Sequence, residues 1–384
     1  MSGVFIMKKE RKRFRSEDEG APMERMNPST VTLKDIAEST GFSLVSVHRA
    51  INGKNGVSEI TRREILAAAE KMGYTPNLMA SVLKRKQLNI AIVFPQLGGS
   101  GAFYFDYMWK GCKAYIDENT GYQINFIDCP FDLDPGTMHE EEHQLEVLHE
   151  LDATMGDELD GLLTVPMENT EAGHEAVARF CEKGVKVVLI DNDYPDSGRL
   201  CCISASDENT GRLSAELMCA MVPQQTGTIL VAAGNEQSQS HRMNAMGFAD
   251  YVRTHRPELN VICVNDLQLP TSDVFYRYME DPGVVAAYSV RARNTVPLCE
   301  AALRLEAKRK LLVLGSDLFE KSADMLRRGV LKGIVYKNPY QKGYVGIKVL
   351  VENLLKDQPP KGEKITVPIS VIMRNNLVFF EEFL

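Results

Sequence analysis

A chain of 384 residues, 44% of them apolar, is too long for one ordinary domain and long enough to bury a large core. No stretch reaches the ~20 apolar residues that span a bilayer, and the apolar run at residues 4–7 is far shorter than the core of a secretory signal, so neither membrane insertion nor export is expected and a cytoplasmic location is. The net charge of −8 is split: residues 1–87 hold 16 Lys and Arg against 10 Asp and Glu, and the remainder holds 28 against 42, so a polyanionic partner would meet the basic head, the bland alternative being an uneven solvated surface.

Residues 1–27 join a basic run at 8–15 to an acidic patch at 17–19 without any apolar period, which predicts a disordered tail. The basic run either adds affinity for nucleic acid or is passive, and Met7, Met23 and Met26 are alternative starts. From Thr30 the texture changes to three short helical patterns, each opened by a hydroxyl residue and closed by Gly or Asn. Thr32 with Asp35 caps the first, and Ile36 and Ala37 supply its inner face. Gly41-Phe42 makes the turn, Ser43 opens a second helix that stops at Asn52-Gly53, and Ser58 opens a third with Ile65, Ala68, Ala69 and Met72 at helical spacing before Gly73. Two short helices about a tight glycine turn have the helix-turn-helix layout. The expected divisions are 28–75 for this head, 76–87 for a hinge helix or linker and 88–384 for the body.

After Leu88, β-branched runs at 90–94, 124–127, 161–165, 185–190, 228–232, 261–264, 284–288, 311–314 and 334–336 alternate with longer helical patterns. That alternation predicts an α/β body with parallel sheets and right-handed crossovers. So many strands would make one sheet too wide, so two lobes are expected, with a break near 205–225 and a ligand cleft at the strands' carboxyl ends. The eight cysteines (Cys112, Cys129, Cys181, Cys201, Cys202, Cys219, Cys263 and Cys299) include no C-x-x-C pair and sit in apolar stretches, which suits reduced core thiols.

The run Val31-Thr-Leu-Lys-Asp-Ile-Ala-Glu-Ser-Thr-Gly-Phe-Ser-Leu-Val-Ser-Val-His-Arg-Ala-Ile-Asn-Gly53, followed by Val57-Ser58, Thr61-Arg62 and Gly73-Tyr74-Thr75-Pro76-Asn77, resembles the DNA-binding head of the lactose-repressor (LacI/GalR) family. The resemblance implies that the second helix enters the major groove, with Thr32, Ser43, Leu44, Val45, Ser46, His48, Arg49 and Asn52 at the DNA. Leu44 and Val45 stand at the base-choosing positions, where apolar side chains pack on a thymine methyl. Arg49 either forks onto a guanine or clamps a phosphate. His48 replaces the family's usual small Ser and either touches DNA or is merely solvated. Asn77, Ala80, Leu83 and Lys84 resemble the family's hinge helix, which implies that Leu83 is a minor-groove wedge.

The body resembles, more loosely, the family's two-lobed periplasmic-binding-protein-like (type I) sensor. The matching residues are Val188-Leu-Ile-Asp191, Arg242 before Gly247-Phe248, Gly315-Ser-Asp317 and Val335 with Asn338-Pro339-Tyr340, Gly343 and Tyr344. The resemblance implies that Asp191, Arg242 and Asp317 face the hydroxyls of a sugar-like effector, with Tyr104, Phe105 and Trp109 as candidate aromatic covers. The alternatives are turn caps for the two acids, a core role for Trp109 and a lobe-fastening role for Arg242. A homodimer or larger assembly on a pseudo-palindromic operator follows from the same resemblance.

Three other readings are weighed. His139-Glu140-Glu141-Glu142-His143 fits the zinc-protease pattern H-E-x-x-H, but its place in an acidic first helical turn favours a solvated helix start. No glycine-rich phosphate loop or nucleophile elbow occurs, so neither catalysis nor a cofactor is expected. A plain sugar-binding protein is the remaining rival, and the head argues against it.

Overall fold

A computed structural model describes residues 31–51, 55–74, 87–98, 102–133, 141–265, 271–306 and 309–383. The chain divides into two compact units, residues 1–78 and 79–384. The expected hinge at 76–87 lies outside the described residues except for Gln87, as does the tail at 1–27.

The head contains α1 (Leu33–Thr40), α2 (Leu44–Ile51) and α3 (Glu59–Lys71). Thr32 and Asp35 form a reciprocal capping box: the Thr32 hydroxyl accepts from Asp35 N–H at 3.3 Å while the Asp35 carboxylate accepts from Thr32 N–H at 2.7 Å. Gly41 ends α1 at φ 73°, the left-handed conformation that favours glycine. The Ser43 hydroxyl accepts from Ser46 N–H at 3.1 Å, and that of Ser58 from Thr61 N–H at 3.2 Å. The three helices then close on Ile36, Val47, Ala50, Ile65 and Ala69, a core small enough that caps worth about 1 kcal/mol each matter.

The body holds two six-stranded sheets of matching topology. The first lobe begins with β1 (Leu88–Val93), α4 (Ala102–Glu118), β2 (Ile124–Asp128), α5 (Glu142–Met155), β3 (Gly161–Thr164), α6 (Glu171–Glu182), β4 (Lys186–Ile190) and β5 (Cys201–Ser204). The second contains α7 (Asp207–Met221), β6 (Gly227–Gly234), α8 (Gln239–His255), β7 (Leu259–Asn265), α9 (Ser272–Met279), β8 (Val284–Ser289), α10 (Ala292–Leu305), β9 (Leu312–Ser316), α11 (Glu320–Arg327) and β10 (Leu331–Tyr336). Helix α12 (Pro339–Lys356) returns to the first lobe, where β11 (Lys364–Thr366) joins its sheet, and β12 (Ser370–Ile372) joins the other. The orders are β2-β1-β3-β4-β5-β11 and β7-β6-β8-β9-β10-β12. Every pairing is parallel except β10 with β12. Central strands such as β3 and β4 are buried on both faces, which is why they read as unbroken apolar runs.

One expected break thus becomes three crossings, near 205, 337 and 368, and the first lobe includes a late helix and strand. The two major crossings are built alike. Ser206 before α7 (φ 54°) and Asn338 before α12 (φ 55°) both adopt the left-handed conformation, and the Asn338 side chain accepts from Gln341 N–H at 3.2 Å. Five residues on, Gly211 and Gly343 let each helix meet the first helix of the lobe it enters. A Cβ on Gly211 would lie 2.0 Å from the Asn244 carbonyl oxygen of α8, and one on Gly343 would lie 2.1 Å from that of Met108 in α4. Gly247 and Gly111 make the reciprocal approaches to Glu208 and Tyr340.

Alanine would gain about 1 kcal/mol of helix propensity at such a site, so the crossings decide the sign. Gly343→Ala and Gly211→Ala are expected to destabilise the body by roughly 1–3 kcal/mol or more. Gly362→Ala, whose Cβ would meet nothing nearer than 3.7 Å, should be close to neutral. Urea denaturation of the three variants checks this, and a neutral Gly343→Ala would contradict the close-packed crossing.

Candidate functional site

In the head, Leu44 and Val45 are 52% and 58% exposed, although Val47 and Ala50 on the same short helix are buried. Positions 44, 45, 48 and 49 share the outward face of α2, and His48 and Arg49 are exposed there too. Thr32 and Ser43 are engaged as helix caps, and Ser46 shares a hydroxyl contact of 3.0 Å with Ser43. The Arg49 guanidinium lies against Gly56, where an added Cβ would sit 3.0 Å from Nη1. Asn52, Asn77, Ala80, Leu83 and Lys84 fall outside the described residues.

In the body, a cavity of about 100 Å³ opens between the carboxyl ends of the two sheets. Tyr104 and Phe105 of α4, Asp191 after β4 and Asp317 after β9 all line it. The two acids occupy equivalent places, each following the fourth strand of its lobe, and both have left-handed backbones, φ 65° and 60°. Non-glycine residues held in this conformation store strain of order 1 kcal/mol, and such strain concentrates at functional sites.

Each acid is paired with a buried lysine. Lys342 Nζ of α12 donates to Asp191 and, at 2.9 Å, to the Tyr104 hydroxyl, which itself donates to Asp191 at 2.7 Å. Lys337 Nζ lies 3.1 Å from Asp317, and its backbone N–H donates to the same carboxylate at 3.0 Å. The Lys337 ammonium also sits 5.4 Å from the centre of the Tyr104 ring, linking the lobes across the cleft. Burial and the charges of Asp191 and Asp317 push the Tyr104 hydroxyl well above its usual range. His241 is driven well below its own range by burial and by the cations Arg291 and Lys337. Asp207, at the start of α7, is raised to about 6 by burial and then by Asp191, although Ser240 donates to it at 2.7 Å.

The lobes also hydrogen-bond along one edge. Asn192 Oδ1 accepts from Ser240 N–H at 2.8 Å, Asn235 donates to Glu168 at 3.0 Å, and Asn169 N–H donates to the Gln237 carbonyl at 3.1 Å. On the other side the Phe103 and Phe319 rings stand 4.9 Å apart.

Two expected cleft residues lie elsewhere. Trp109 is core: it is 3% exposed, packs edge-on against Phe94 and donates Nε1–H to the Pro95 carbonyl at 2.8 Å. On α4 it sits five residues beyond Tyr104, which carries it down the helix into the sheet. Arg242 is exposed and donates to the Glu236 carbonyl at 3.0 Å. On α8 the inward face runs through Ser238, His241, Asn244 and Phe248, and Arg242 lies one helical step, about 100°, away from His241. Arg291, Arg293, Lys337, Lys342, His241 and Asn192 escaped the sequence reading. Their signal was position, since Arg291 lies two residues past the end of β8 and Lys337 directly follows β10.

Of the H-E-x-x-H segment, His139 and Glu140 fall outside the described residues. Helix α5 begins only at Glu142, His143 Nδ1 lies 2.9 Å from the Asp132 carbonyl oxygen, and Glu141 is buried, accepting from Thr170 at 2.5 Å. Among the described residues no three metal-ligating side chains gather, no helix is long and apolar enough to cross a membrane, and the cysteines are unbridged.

Residues 90–358 match the family described as the periplasmic binding protein domain, and residues 32–77 match the bacterial regulatory proteins of the lacI family. The HTH-type transcriptional regulator DegA of Bacillus subtilis is 28% identical over 165 residues, 43% of this chain and 44% of that protein. The chain thus spans about half the length of the first curated relatives it matches. The ribose operon repressor of Bacillus subtilis is 23% identical over 360 residues, 89% of this chain and 97% of its own length. Among solved structures, the glucose-galactose binding protein GanP from Geobacillus stearothermophilus shares the fold at a TM-score of 0.66 and 19% identity, covering 76% of this chain and 99% of that one.

The raised Asp207 gives the body a pH signature. A carboxyl that holds its proton more tightly in the folded chain contributes stability below its ordinary value of 3.8, and that stability is lost as pH rises through about 6. Asp207→Asn keeps an acceptor for Ser240 and has no such loss. Relative to the parent, it is expected to gain roughly 1–2 kcal/mol between pH 4 and pH 7. Parallel denaturation at the two pH values measures this, and a constant difference would contradict the burial of a charged Asp207.

Proposed function

Because the chain belongs to the lacI family of bacterial regulatory proteins, its head followed by a periplasmic-binding-protein body, we propose that it is a sequence-specific DNA-binding transcriptional regulator, a repressor, whose operator affinity is set by a small carbohydrate-like effector held between the lobes. The observation that carries this reading is the exposed pair Leu44 and Val45 at the start of a helix whose opposite face is buried. Large apolar side chains presented beside His48 and Arg49 have no role in the head's own core, and they suit thymine methyls in a major groove, with the cations on phosphate or guanine.

The carbohydrate class is supported by the cavity at the strand ends, where aromatic side chains and hydrogen-bonding groups line one space, and by the names of two similar proteins, a ribose operon repressor and a glucose-galactose binding protein. A single three-helix head buries little DNA, so a homodimer on a pseudo-palindromic operator follows. An effector that favours one arrangement of the lobes changes operator affinity only through differential binding, and the coupling is reciprocal, typically about 1–3 kcal/mol.

Leu44→Ala with Val45→Ala is expected to weaken specific operator binding by roughly 1–3 kcal/mol per base pair no longer read, with nonspecific binding retained. Unchanged discrimination in fluorescence anisotropy would argue against this face. Asp317→Asn should leave operator binding within about twofold and remove the effector response, whereas Arg242→Ala should respond like the parent. The opposite pattern would move the effector site to the outer face of α8.

A further inference from the structure

The two walls of the cleft cavity differ in chemistry. Among the described residues, the first lobe lines it with Phe103, Phe105, Leu133, Val165, Pro166 and Met167, and with three polar side chains, Tyr104, Asp191 and Asn192. All three polar groups are engaged with the protein itself. Tyr104 donates to Asp191 and accepts from Lys342, which also donates to Asp191. Asn192 donates to the Pro166 carbonyl at 2.6 Å and accepts from Ser240 N–H at 2.8 Å. The second lobe is the reverse: apart from Ala292, each of its lining residues from Ser238 to Lys337 is polar or charged. One acceptor on that side has room for a donor, since Asp317 Oδ2 is buried in its ion pair with Lys337 but makes no hydrogen bond.

A sugar hydroxylated at every carbon must turn some of its hydroxyls toward the first wall. A hydroxyl pressed against carbon loses its bonds to water and gains none in return, whereas an alkyl or aryl group in the same place gains by leaving water. The apolar wall is also not flat. The Tyr104 and Phe105 rings stand perpendicular, at 89° with centroids 5.3 Å apart, so the face of a sugar ring lies along only one of them and the aliphatic residues are left to meet a substituent.

Taking the body as the effector-binding unit proposed above, we infer that the effector is an amphiphilic sugar: a small ring whose hydroxyls face the second lobe, one of them donating to Asp317 Oδ2, and which carries an apolar substituent against Phe105, Leu133, Val165 and Met167. Two sources supply such a group. One is a methyl in place of a hydroxymethyl, as in a 6-deoxy sugar, and the other is the aglycone of a glycoside.

The test uses full-length protein and paired probes: D-galactose with D-fucose, L-mannose with L-rhamnose, and D-glucose with phenyl β-D-glucoside. Calorimetry is expected to show at least one substituted sugar bound about tenfold or more tighter than its parent, a gap of about 1.4 kcal/mol, which is the scale on which an apolar pocket reads a single small group. The pair that shows the gap identifies the source of the substituent. Leu133→Ser and, separately, Met167→Gln should each cut the preference about threefold or more. Leu133→Met should keep it, and the parent sugar's own affinity should stay within about twofold in all three variants. Parent sugars that bind as well as their substituted partners, a panel in which no substituted sugar binds, or a preference unchanged in both polar variants would overturn the inference. A fully hydroxylated sugar that binds best and shifts operator affinity would sink only the amphiphilic inference. A substituted sugar that binds to a protein unable to select DNA would sink only the regulator reading.

Discussion

Both carboxylates in the cleft are neutralised from one short stretch of chain, Lys337 to Lys342, where the polypeptide leaves β10 of the second lobe and enters α12 of the first. Two buried acids without cations would each cost several kcal/mol, so the cleft cannot exist without that crossing. The crossing depends in turn on a left-handed Asn338 to start the helix and on Gly343 to let it lie against α4. The other crossing repeats the device with Ser206 and Gly211, and brings Asp207 within reach of the Asp191 charge. The geometry of the site is thus set by backbone approach, and its charge by which residues the two crossings carry.

This construction bears on how a ligand would act. Asp191 and Lys342 belong to one lobe and Asp317 and Lys337 to the other, while Lys337 leans on the Tyr104 ring across the gap. Each acid is therefore paired within its own lobe, and besides that cation–ring contact the lobes meet through hydrogen bonds such as Asn192 to Ser240 and through the Phe103–Phe319 ring pair. Each such contact is worth about 1 kcal/mol. A bound ligand touching both walls competes on that scale.

Much of this architecture was legible in the sequence because it rests on local chemistry. Thr32, Ser43 and Ser58 cap the head helices, and the nine β-branched runs lie within or overlap observed strands. The short strands β5, β11 and β12 were missed because three or four residues carry no periodic signal. Asp191 and Asp317 were found because strand ends and motif agree. Arg242 failed on helical angle and Trp109 on depth, neither of which a motif specifies. Lys342 lies 151 residues from Asp191, and a lysine in a helix reads as solvated until topology brings a buried acid to it.

The central claim is that the chain reads duplex DNA with α2 and that ligand in the body controls the reading. Selection from a random pool of duplexes by full-length protein at moderate salt, with and without a mixture of sugars, tests it most directly. The account predicts enrichment of a two-fold symmetric sequence whose recovery changes when the sugars are present. A pool that emerges unenriched under both conditions would contradict it.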